Sequence, residues 1–69
     1  MLKYQLRQTN GVYVLIEMNT TIGSIEAKFT TNDLGDLEDM LGKYKTESIE
    51  FGLSIPPSIQ KYLRSKVLK

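Results

Sequence analysis

Cysteine and histidine are both absent from the 69 residues, and each absence closes a class of chemistry. Without thiols there is no disulfide and no thiolate metal site, and without imidazole the commonest neutral metal ligand is gone. Structural zinc is excluded and no cofactor is expected. Long apolar runs are missing too: no stretch approaches the roughly 18 residues of a membrane span, and the opening MLKYQLRQTN lacks the apolar core of a secretory signal. These absences lead to the expectation of a cytoplasmic protein that does not enter a membrane.

What is present is the composition of a folded domain. The hydrophobic fraction is 41% and the charged fraction 25%, values unlike those of disordered chains, and the length allows one domain over residues 1–69. The formal charge of +1 hides a segregation. Residues 1–31 carry Lys3, Arg7 and Lys28 against Glu17 and Glu26. Residues 32–50 carry Asp33, Asp36, Glu38, Asp39, Glu47 and Glu50 against Lys43 and Lys45, and residues 51–69 carry Lys61, Arg64, Lys66 and Lys69 with no acid. The middle is acidic and the ends are basic.

Asn10-Gly11 is a strong hairpin signal, and two registers compete for it. A two-residue loop sets Tyr4 opposite Glu17 and Lys3 opposite Met18, which splits the apolar residues of the two strands between opposite faces. A three-residue loop, Thr9-Asn10-Gly11 with a bulge at the glycine, pairs Leu2 with Met18, Tyr4 with Ile16 and Leu6 with Val14 on one face. Burial therefore predicts the three-residue loop. A third strand over Ser24 to Thr30 follows a four-residue loop, Thr20-Thr21-Ile22-Gly23, with Ile25 beside Met18 and Ile25, Ala27 and Phe29 turned to the core. The uncovered face is then expected to hold Lys3, Gln5, Arg7, Tyr13, Leu15, Glu17, Ser24, Glu26 and Lys28.

Thr31, Asn32 and Asp33 open a helix with Leu34, Leu37, Leu41 and Tyr44 on one stripe and Gly35, Asp39 and Gly42 on the opposite face. Strict alternation through Ile49, Phe51, Leu53 and Ile55 predicts a fourth strand, placed parallel to the first by a right-handed crossover. Pro56 and Pro57 end it, and a last helix buries Ile59, Tyr62, Leu63 and Val67 while exposing Lys61, Arg64 and Lys69. The expected fold is α+β in the order β-β-β-α-β-α: a three-stranded antiparallel meander, a crossover helix, a fourth strand and a short C-terminal helix.

No spacing of carboxylates, lysines, tyrosines or serines specifies a catalytic constellation, and the glycines do not form a phosphate-cradling loop, so an enzyme is not expected. Asp36 and Asp39 offer an acidic helix face, though acids early in a helix also simply complement its dipole. Two binding readings stand. Arg7, Tyr13, Leu15 and Lys28 are the residue types of a protein interface, which predicts a protein-interaction module acting as an inhibitor or regulator. An open strand edge also allows homodimerisation by strand addition. Alternatively, the same sheet face together with Lys61, Arg64 and Lys69 binds DNA. In outline, the three-stranded meander followed by a helix over residues 1–44 is similar to the arm-site DNA-binding domain of phage and transposon integrases. That resemblance implies phosphate or base contacts from Lys3, Arg7 and Lys28, with Tyr13 as a stacking group. Size and composition also resemble those of the small accessory proteins that phages and mobile elements encode.

Overall fold

The computed structural model describes residues 2–69 and has the expected order of elements. Strands β1 (Leu2–Thr9), β2 (Val12–Asn19) and β3 (Ser24–Thr31) form the meander, and α1 (Leu34–Leu41) leads across to the three-residue strand β4 (Ile49–Phe51). Helix α2 (Pro57–Tyr62) runs on into a π-helical turn, Leu63–Val67. The sheet order is β3-β2-β1-β4, with β4 parallel to β1 as the crossover requires. The buried residues of the helices pack with Leu6, Tyr13 and Leu15, which share one face of the sheet.

The first hairpin corrects the sequence expectation. Thr9 pairs with Val12, Gln5 with Ile16 and Leu2 with Asn19, so Asn10 and Gly11 alone make the loop. Both have positive φ, 51° and 79°, the backbone of a type I′ turn whose twist matches that of the strands it joins. Turn chemistry therefore decided the register, and every side chain of β2 lies on the face opposite to the one predicted. The Tyr4–Glu17 pairing, improbable on hydrophobicity, is a hydrogen bond: the Tyr4 hydroxyl donates to Glu17 Oε2 at 3.3 Å.

On the helix-covered face the core is built from Leu6, Tyr13 and Leu15 of the sheet, Ile49 and Ile55 from and after β4, Leu37 and Leu41 of α1, and Leu63 and Leu68 at the end of the chain. Leu6 and Leu15 sit directly opposite each other with no exposed surface. Tyr4 is tilted against Tyr44, with ring centroids 4.9 Å apart.

The second hairpin has the four-residue loop expected, closed by Gly23 N–H donating to the Asn19 carbonyl at 2.8 Å, and Met18 does pair with Ile25. Beyond that, β3 is bulged. Ala27 pairs with Ile16 and Phe29 with Leu15, so Lys28 is an inserted residue. The insertion turns Phe29 to the core while Ile25 and Ala27 face away from it, contrary to the single-faced strand expected.

Asp33 caps α1, its side chain accepting from Gly35 N–H at 2.8 Å, and so satisfies one of the free donors of the first turn. The β4 strand is shorter than its alternating pattern because the chain turns immediately. Gly52 N–H donates to the Leu6 carbonyl at 2.8 Å, and a Cβ at Gly52 would stand 3.2 Å from that oxygen. Leu53 then projects wholly into solvent and Ile55 returns to the core. At the C-terminal end Leu68 N–H reaches back five residues to the Leu63 carbonyl at 2.8 Å. This wider turn buries Leu68 and lets Lys69 exchange backbone hydrogen bonds with Tyr44 and Thr46.

An open sheet face as the candidate functional site

This register leaves the second face of the sheet without a covering element among the described residues. Along β2 this face presents Val12, Val14, Ile16 and Met18, and on β3 it presents Ile25, Ala27 and Thr30. Lys3, Gln5 and Arg7 of β1 lie on the other side of the β2 row, opposite Met18, Ile16 and Val14 respectively. Glu50 of β4 is beside Gln5. None of these apolar residues belongs to the core cluster or packs against it. Val14, Ile16 and Met18 are half-buried, Ile25 is 72% exposed, and Ile22 in the adjoining loop is 74% exposed. A contiguous apolar strip of this kind on a small protein marks a contact surface more often than a scattered exposed leucine does.

Its electrostatics follow from the same register. Glu17 and Glu26 pair with each other on the helix-covered face, so they do not share a face with Lys3 and Arg7. The cations adjacent to the strip are thus free of those two acids, although Glu50 stands on the same face one strand further out, beside Gln5, and Lys3 shares a hollow with Glu47 and Glu50. Arg7 is exposed and its Nε donates to Gln5 Oε1, which holds the guanidinium along β1. Lys28 is exposed at the bulge on the sheet edge.

Two predicted interface residues are corrected. Tyr13 and Leu15 are 7% and 0% exposed and lie in the core, because the type I′ turn turned their side of β2 inward. With Tyr13 inside, the stacking group implied by the integrase resemblance is missing from the open face. Arg7 and Lys28 keep the exposure expected of them.

The other candidate groups stand apart from this face. Lys61 and Arg64 line a shallow groove of about 480 Å³ with Pro57, Gln60 and Ser65 along the last helix. Arg64 is partly committed elsewhere, its guanidinium lying 4.9 Å above the Phe51 ring. Lys69 is beyond the helix, and its carbonyl accepts from Thr46 N–H at 2.8 Å and from the Thr46 hydroxyl at 3.0 Å, so it does not continue the row of Lys61 and Arg64. Asp36 and Asp39 border a hollow of about 350 Å³ with Phe29, Met40 and Lys43. Asp36 also accepts from the Thr31 hydroxyl at 3.4 Å. Among the described residues no cluster of three acidic side chains is arranged to hold a metal ion.

Two tyrosines are perturbed, neither on the open face. Burial, then the neighbouring Glu17 charge, then Tyr44 and the hydrogen bond to Glu17 raise the Tyr4 hydroxyl above its ordinary value of 10.0. The hydrogen bond that Tyr62 donates to Glu38 is the main cause of a rise there, followed by desolvation and the Glu38 charge. Both are structural contacts between elements.

The residues that sequence reasoning missed are Val14, Ile16, Met18, Ile25 and Ala27. A signal was present: VYVLI in β2 is apolar at five consecutive positions, more than one face of an antiparallel strand can use. No helix is long and apolar enough to cross a membrane among the described residues. Comparison of the chain with protein-family models, with curated protein sequences and with solved structures finds no match.

Proposed function

We propose that this is a small non-enzymatic binding protein of the cytoplasm that docks another protein on its open sheet face and acts on it as an inhibitor or regulator by occlusion. One observation carries the reading: the central strand spends Val14, Ile16 and Met18 on a face that no element among the described residues covers. These side chains are already half-buried, so what stays in water forgoes about half of the roughly 1.5–3 kcal/mol that full burial of each contributes, and a partner surface recovers part of it. The apolar centre beside polar Lys3, Gln5 and Arg7 has the anatomy of a protein interface.

Duplex DNA is the second reading. The separation of Lys3 and Arg7 from Glu17 and Glu26 favours it, while the middle of the face offers Val14, Ile16 and Met18, which donate no hydrogen bond to a phosphate or a base edge. The test is affinity capture from extract of the source cells on immobilised wild-type protein and on Ile16→Asp. Retention of a protein by the wild type that Ile16→Asp loses, with the variant still folded, supports the docking reading. Equal retention by both forms contradicts it. Salt-sensitive retention of DNA unaffected by Ile16→Asp supports the second reading.

A further inference from the structure

Resting on the docking reading, we infer that the open face takes a single amphipathic helix of a partner protein, flanked on one side by acidic residues. The width of the strip argues for a helix. Its apolar residues come from two adjacent strands, β2 and β3, which span about 10 Å. That is the width of one α-helix with its side chains. A second sheet laid over all four strands would bury Lys3, Arg7 and Glu50 along with the strip. Its length is consistent: from Val12 to Met18 is about 20 Å at strand rise, matched by about 13 residues of helix.

The flank argues for acid. Lys3 and Arg7 stand beside Met18 and Val14 along the β1 side, about 13 Å apart, a little over two helical turns, and lie between the strip and Glu50, which is one strand further out. Carboxylates two turns apart on one border of the helix meet both cations while its apolar stripe lies on Val14, Ile16 and Met18. A basic border would place like charges together and oppose docking.

A second copy of the chain fits less well. One twofold that stacks the β2 rows lays β1 on β1, with Lys3 over Arg7 of the other copy. The other lays β1 over β3, where Ile25, Ala27 and Thr30 supply no carboxylate on this face.

The experiment uses three helix-favouring peptides of about 15 residues with the same leucine stripe and glutamate, glutamine or lysine on one border. Each is titrated into isotope-labelled protein while the amide resonances of β2 are followed. The expected result is a shift at Val14, Ile16 and Met18, with the glutamate peptide binding about tenfold tighter than the lysine peptide. In the double variant Lys3→Glu/Arg7→Glu the preference inverts. Equal affinity for all three at this face overturns the acidic flank and leaves the docking reading standing. Failure of every peptide to shift these amides overturns the helix proposal, and the Ile16→Asp capture then judges the docking reading separately. A light-scattering mass of two chains that Ile16→Asp reduces to one also overturns it in favour of self-association, as does a shift of the same amides by duplex DNA alone.

Discussion

Tyr4 links three parts of the molecule, with its ring on Tyr44 and its hydroxyl on Glu17 of the neighbouring strand. Its raised pKa means that the fold prefers the neutral phenol. The stabilisation is complete below the unfolded value of 10.0 and is lost as pH rises through the higher folded value. Tyr62, raised chiefly by its hydrogen bond to Glu38, acts in the same direction. Urea midpoints measured from about pH 8 to about pH 11 should therefore fall at the alkaline end, and more steeply for the wild type than for Tyr4→Phe. Parallel curves for the two proteins would show that Tyr4 contributes nothing to the alkaline limb.

Among the elements, the Asn10-Gly11 turn carries the most consequence, because its two-residue length sets which side of β2 faces the helices. Gly11 has φ +79°, a region that costs a residue bearing Cβ about 1–2 kcal/mol. Gly11→Ala should lose about that much stability in chemical denaturation; an unchanged midpoint would mean that the turn is not type I′ in solution. Across β2 and β3, Glu17 faces Glu26, and like charges directly opposite oppose pairing. Glu26→Lys should gain a few tenths of a kcal/mol up to about 1 kcal/mol, read from the same denaturation curves at low salt; a loss would show that these side chains do not meet. The order of elements, the parallel placement of β4 and the exposure of Arg7 and Lys28 were legible in periodicity and turn residues alone. The register was not, because burial pattern and turn chemistry pointed in different directions and the burial argument assumed that all apolar residues go inside. That assumption moved Tyr13 and Leu15 to the surface and hid Ile16 and Met18 in the core. The bulge at Lys28 was illegible for a related reason: its inserted residue changes the face of Phe29 relative to Ala27 without altering the alternation of residue types.

At the scale of the whole molecule, the chain is a two-layer structure with one finished side. Helices seal Leu6, Tyr13 and Leu15, while the other side of the same sheet keeps an apolar strip with cations on one flank. The conflict between local pattern and global burial falls on the face proposed for binding, where such conflicts are expected to concentrate. Everything proposed for the partner depends on Leu15 and Ile16, adjacent in sequence, having opposite surroundings. Thermal midpoints of Leu15→Thr and Ile16→Thr test this directly, since threonine suits a strand at either position and only the loss of apolar contact differs. The structure predicts a cost of about 2–4 kcal/mol for Leu15→Thr, enough to lower the midpoint by more than about 10 °C, and less than about 1 kcal/mol for Ile16→Thr. Equal losses, or a larger loss at Ile16, would place Ile16 in the core and contradict the open face.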